Sequence, residues 1–174
     1  FNSPVAMLLG DKRNLALLSE RADSPVFSEE ERQILRDHLP WTRRVESTET
    51  TFQGERVPLL DFISSHREDL VLKKGRSLAG QDVFIGRFTS QDEWDKVLGE
   101  VAPQRDWIVQ AFAESRPYLF QNDEYGCSPH DAVWGPFVFG KTYAGAILRL
   151  QPKRLLGIVN LTRGATEGVL LEVV

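Results

Sequence analysis

The stretch from Asp69 to Phe112 constrains the fold most, because within it the apolar residues change from strand-like to helical spacing and back. Leu70-Val71-Leu72 is a short apolar run that ends at Lys73-Lys74. It is followed by Gly75-Arg76-Ser77-Leu78-Ala79-Gly80-Gln81-Asp82, and Val83-Phe84-Ile85-Gly86 resumes as a second run. Apolar runs of this length, bounded by glycine and polar residues, read as strands, so a hairpin with a polar, glycine-bearing tip is expected. Thr89 or Ser90 is then placed to cap a helix over residues 91–101, where Trp94, Val97, Leu98 and Val101 recur at helical spacing. Asp106 to Phe112 supplies the next strand.

The flanks extend this pattern. Lys12 to Glu20 carries a helical apolar face, and Ser28 with Glu31 forms a capping box, a hydroxyl and a carboxylate placed to satisfy two orphan amides at a helix start. The helix so opened, over residues 29–38, stops before Pro40, since a residue preceding proline is disfavoured in the α region. Trp41 to Gly54 is polar and threonine-rich, and is expected to be loop with at most one edge strand. Apolar positions 57, 59, 60 and 63 predict a helix over Val57 to Arg67. Glu114 to Asp131 reads as a long excursion, and Trp134–Phe139 with Thr142–Leu150 as a hairpin about Gly140-Lys141. Leu156–Leu161 and Val169–Val174 are expected to add two short strands. The predicted class is α+β, with antiparallel sheets and flanking helices.

Composition limits the function classes. With 174 residues, 41% of them hydrophobic, the chain can bury one substantial core, or one domain plus a smaller lobe. The single Cys127 cannot form an intramolecular disulfide, and no His and Cys cluster has zinc-site spacing. A net charge of -4, with acidic and basic residues interleaved, argues against a nucleic-acid surface, which needs a coherent basic stripe. No run approaches the roughly 18 apolar residues of a membrane span, and the start lacks a signal sequence. The expectation is a soluble, cytoplasmic protein with neither membrane nor nucleic acid as partner. Phe1-Asn2-Ser3-Pro4 has no initiator Met and runs straight into an apolar segment, so the chain is expected to be a fragment, truncated at its amino terminus.

A lysine at the end of an apolar strand has its ammonium held in place, and a glycine-bearing turn after it lets backbone amides approach phosphate oxygens. Lys73 and the 75–82 loop therefore form a candidate triphosphate cradle, although a solvated turn has the same composition. It is not a Walker A loop, since no Lys followed by Ser or Thr opens a helix at that spacing. The order of parts adds to this: a lysine strand, a glycine loop, a strand, a helix, a strand ending at Gln110-Ala111-Phe112, then the hairpin Gly135 to Arg149, then Asn160-Leu161-Thr162-Arg163-Gly164. That order resembles the nucleotide site of the ATP-grasp family. Asn2-Ser3-Pro4 followed by Leu8 to Ser19 is similar to the Asn-Pro segment and Lys-bearing helix of its circularly permuted members, which include glutathionylspermidine synthetase-like proteins.

The resemblance implies an ATP-grasp-like fold in which residues 1–56 are a helical remnant of the preceding lobe and 57–174 the nucleotide-binding region. It implies ATP and magnesium as cofactors. Lys73, Arg76, Gly80, Gln110 and Asn160 would hold the nucleotide, with Gln110 at the adenine edge. Arg149 would act catalytically, joining Lys73 in neutralising phosphate oxygens during transfer. Asn2 would be the last metal ligand, its acidic companions lying upstream of Phe1. The implied activity, in the full-length parent, is an ATP-dependent carboxylate-amine ligase working through an acyl phosphate. Its partners would be small-molecule carboxylates and amines and the upstream part of its own chain, and the fragment alone would be inactive.

Other readings stand beside these. The sparse glycines of the 75–82 loop, and Gln110 where the wider family commonly has Glu, suit a non-catalytic, ATP-grasp-derived binding or assembly module. An unrelated α+β domain would leave Lys73, Gln110 and Arg149 scattered. Lys73 has a second reading as a snorkelling lysine, Arg149 as the outward member of an alternating strand, Asn160 as a turn former and Asn2 as an ordinary terminal residue. Asp131 would help the metal, orient Arg149 or form a turn. Trp41-Thr42-Arg43-Arg44 would hold an anionic substrate or form a solvated turn. Cys127 beside Ser128, His130 and Asp131 is read as an inert loop thiol. Trp94 and Trp107 are read as packing residues.

Overall fold

The computed structural model describes residues 5–78, 80–122, 126–153 and 157–170, the side chains of Asn122 and Arg163 excepted. Asn2 and the segment 171–174 lie outside them. The chain divides into two compact units, Phe1–Ala113 and Glu114–Val174. The division at 56/57 concerns family lobes and not compactness, and it stands as an expectation.

The first unit begins with three helices, α1 (Ala6–Leu9), α2 (Arg13–Glu20) and α3 (Glu29–His38). Both arms of the α3 capping box form: Ser28 Oγ accepts from the Glu31 amide at 3.2 Å, and the Glu31 carboxylate accepts from the Ser28 amide at 2.8 Å. Strand β1 (Thr42–Arg44) follows, then a hairpin of β2 (Glu49–Phe52) and β3 (Glu55–Pro58). Gln53 and Gly54 both have positive φ, as a two-residue hairpin loop matched to strand twist requires. Then come α4 (Leu59–Ser65), β4 (Leu70–Lys74), β5 (Val83–Ile85), α5 (Gln91–Val101) and β6 (Trp107–Ala111).

Strands β1, β6, β4 and β5 pair in that order, all antiparallel, into a four-stranded sheet. Alternation along strands divides its residues between two faces. Leu70, Leu72, Trp107 and Val109 join Leu59, Phe62 and Ile63 of α4 and Trp94, Val97, Leu98 and Val101 of α5 in one buried cluster. The Trp94 indole is fully buried, and its N–H donates to the Ile63 carbonyl at 2.9 Å, which closes the one polar liability of that ring. The opposite face carries Val71, Lys73, Ile108, Gln110 and Thr42, linked by the pairings Thr42–Gln110, Gln110–Val71 and Lys73–Ile108. Helix α2 packs against β1 and reaches β6, with Ala16 fully buried.

The second unit is a four-stranded antiparallel sheet in the order β10 (Thr166–Gly168), β9 (Thr142–Pro152), β8 (Gly126–Phe139) and β7 (Tyr118–Asn122). The β8–β9 turn places Gly140 at φ 63°, a conformation that favours glycine. The register shifts between Pro136 and Val138, where the missing proline N–H breaks the ladder. The buried cluster here is small: Ala132, Leu148 and Leu150, with Phe120 against them. Phe137, Phe139 and Tyr143 remain half or more exposed along the hairpin, and Trp134 nearly so.

The structure departs from the sequence reading in four places. Residues 41–54, expected as loop with at most one edge strand, contain the edge strand β1 and also β2; pairing with β6 buries Thr42 and gives a polar tripeptide strand partners that no local pattern reveals. The helix expected from Val57 begins at Leu59, its first two residues belonging to β3. The excursion 114–131 holds β7 and the first part of β8. Among the described residues of 156–161, residues 157–160 form no strand and Leu161 opens a 3-10 turn; a short strand not expected from the sequence runs over Thr166–Gly168, and the expected Val169–Val174 strand lies mostly outside the described residues.

Candidate functional site

Strand β4 ends, β6 passes beside it and α2 begins at one corner of the first unit. There the Lys73 ammonium donates to Gln110 Oε1 at 2.6 Å. Gln110 Nε2 in turn donates to Thr42 Oγ1 at 2.9 Å, and the Thr42 hydroxyl donates to the Pro40 carbonyl at 2.7 Å. A backbone carbonyl only accepts, so the Thr42 proton is committed to it and its oxygen must receive from the amide. The chain of bonds thereby fixes which end of the Gln110 carboxamide faces Lys73. Burial pushes the Lys73 pKa below its ordinary value, and the nearby Lys12 pushes in the same direction.

Lys12 sits just before α2, and its ammonium donates to the Ser77 carbonyl at 3.0 Å and lies 3.4 Å from Ser77 Oγ. Both lysines thus have neutral partners, and they repel one another.

The loop after β4 is tied to the same helix start. The Lys12 amide donates to the Gly75 carbonyl at 2.9 Å, and the Gly75 amide donates to the Asp106 carbonyl at 2.6 Å. A Cβ on Gly75 would lie 2.9 Å from both the Asp106 carbonyl and Asp11 Oδ1, so only glycine passes there. Asp11 is buried and receives Arg13 Nε and Nη2 through both its oxygens, the Arg13 amide at 3.0 Å and Arg76 Nε at 3.0 Å. The Arg13 fork, followed by the Arg76 bond, holds the Asp11 carboxyl well below the usual carboxylate range against the opposing effect of burial.

Of the residues singled out from sequence, Lys73 and Gln110 are brought into direct contact. Arg76 lies on the same loop but is turned onto Asp11. Gly80 takes a positive φ of 73° at the hairpin tip. Arg149 and Asn160 belong to the second unit. Arg149 is half-buried on β9, opposite Val133 and Glu167. Asn160 Oδ1 receives the Thr162 amide at 3.0 Å and the Thr162 hydroxyl at 2.9 Å, the geometry of a turn-forming Asn. Asn2 lies outside the described residues.

The remaining candidates resolve on simple geometry. Cys127 and His130 stand an odd number of residues apart on β8, so they project to opposite faces; the thiol is exposed and the imidazole buried. Asp131 lies 3.8 Å from Lys153. Arg43 is half-buried 4.9 Å from the Trp41 ring centroid, donating to Thr50 Oγ1, Ser19 Oγ and the Thr42 and Thr51 carbonyls, so it knits β1 to β2. Trp94 and Trp107 are buried in the core.

Sequence reasoning placed Lys12 on a lysine-bearing helix but gave no role to it, to Asp11 or to Thr42. The one available signal was the triplet Asp11-Lys12-Arg13 at a helix start.

An ammonium pair with neutral partners suits phosphate oxygens. Among the described residues, no three His, Cys, Asp or Glu side chains gather in the manner of a metal centre. No helix among the described residues is long and apolar enough to cross a membrane. Comparison with protein-family models and with curated proteins gives no match.

Proposed function

We propose that the protein is the ATP- and magnesium-binding part of an ATP-dependent carboxylate-amine ligase of ATP-grasp type. The observation that supports it is the Lys12 and Lys73 pair, two ammonium groups that act on one another electrostatically and have neutral partners, beside a glycine-bearing loop. A triphosphate placed there removes their mutual repulsion and supplies the counter-charge that burial denies Lys73. Bound ATP supplies the phosphoryl group. A carboxylate oxygen of the acid bonds to the γ-phosphorus as the bridge to ADP breaks, and the amine then attacks the acyl carbon. A C–N bond forms, the C–O bond to phosphate breaks, and the amine proton leaves with the phosphate. Lys73 offsets charge on the phosphate oxygens as the group is transferred.

Thermal melting with millimolar Mg-ATP tests the nucleotide step. Saturating ligand at about 100 times its Kd stabilises a folded protein by about 2.7 kcal/mol, a shift of several degrees for a chain of this size. The shift is expected in the wild-type chain and lost in Lys73→Ala; no wild-type shift refutes the reading. A second reading, a non-catalytic module derived from the same fold, is favoured by Asn160, whose carboxamide oxygen is engaged by Thr162. Nucleotide binding by the full-length protein without ADP release, across pools of acids and amines, selects that second reading.

A further inference from the structure

A cavity of about 360 Å³ lies between α1, the outer side of α2 and the loop at Arg76. Its size is that of a small-molecule site. Leu8 and Leu17 form an apolar wall and are 56% and 53% exposed, so each has surface for a ligand to cover. Arg13, Arg44 and Arg76 line the rest, together with Asp11 and Glu20.

The charges there do not cancel. The wall carries three guanidinium groups, Arg13, Arg44 and Arg76, against two carboxylates, Asp11 and Glu20, and Asp11 is shared by Arg13 and Arg76. Arg44 is matched by Glu46 at 2.9 Å, and Glu20 acts electrostatically on Arg43. Arg76 and Arg44 are each gripped through Nε, and their side chains are 61% and 44% exposed. Guanidinium edges presented this way match a planar carboxylate in two-pronged fashion.

We propose that this cavity binds a small monocarboxylate with an aliphatic body, its carboxylate on Arg44 and Arg76 and its chain over Leu8 and Leu17. The site is separate from the Lys12 and Lys73 corner and needs no nucleotide. Its assignment as the seat of the acid to be activated rests on the ligase reading; its existence does not.

Amide chemical-shift titration of the whole chain with sodium hexanoate tests the site, with hexylammonium and inorganic phosphate as parallel arms. Hexanoate is expected to give saturable shifts at Leu8, Leu17 and Arg76. Removing one charge-assisted contact in Arg44→Gln weakens binding by about tenfold, and Leu17→Ala, which removes only apolar contact, weakens it by a few-fold. Lys73→Ala leaves hexanoate binding intact, so failure of the nucleotide reading and failure of this one are separable. No saturable shift, equal shifts with hexylammonium, or phosphate binding as tight as hexanoate overturns the proposal.

Discussion

A carboxamide bonded to a half-buried ammonium on one side and a threonine hydroxyl on the other cannot be replaced by a hydrocarbon of similar size without stranding both partners. Gln110→Leu leaves Lys73 and Thr42 without those bonds, and a loss of about 1–3 kcal/mol is expected from urea denaturation; an unmoved midpoint contradicts the relay. Lys73 also sets a pH dependence. Its folded pKa lies below the unfolded value, so the unfolded chain holds more protons between the two and stability rises as pH climbs through that window toward about 10.4. Lys73→Met should lack that alkaline gain in melting temperature. Asp11 acts at the other end of the scale. Its folded pKa is depressed, so its contribution is complete above the unfolded value of about 3.9 and fades as pH falls toward the folded one. Asp11→Ala should lose stability at neutral pH and unfold with a shallower acid limb, measured by denaturation at successive pH values.

Among the elements, α3 has no buried residue and depends on its own local bonds. Removing its cap in Ser28→Ala is expected to cost the helix about 1 kcal/mol, seen as faster amide exchange confined to residues 29–38; exchange that stays unchanged there would show that the box contributes little. This helix was legible in the sequence because every partner in its cap lies within three residues. Helix α5 was legible for the same reason, with Ser90 accepting from the Glu93 amide and its apolar face repeating on one side. The position of strand β1 was not, since its burial comes from β6, more than sixty residues away. Nor were β7 and the early part of β8, whose Pro, Gly, Asn and Asp content imitates a loop while pairing supplies the order. The site followed the same division. Lys73 stood out because it ends an apolar run and Gln110 because it is a polar residue near the end of a strand, whereas Asp11 has its role through Arg76 on a distant loop, and no spacing rule connects them.

At the scale of the whole molecule the two units differ in what holds them. Among the described residues, the first has a dozen buried apolar side chains in one cluster, the second three with a partly buried phenylalanine. Local opening is governed by such apolar burial. Hydrogen-exchange mass spectrometry is therefore expected to find β4 and β6 the most protected strands, and the end of the β8–β9 hairpin among the quickest to exchange; equal protection in both units would contradict this. The indoles are divided in the same way. Trp94 and Trp107 are enclosed in the first unit, with Trp41 half-buried beside them, while Trp134 in the second is 49% open to solvent. Iodide in solution can collide with Trp134 and scarcely with the enclosed pair, so quenchable and unquenchable emission report on different halves of the chain. The protein thus carries two native optical labels, and loosening of either half can be followed without attaching a dye.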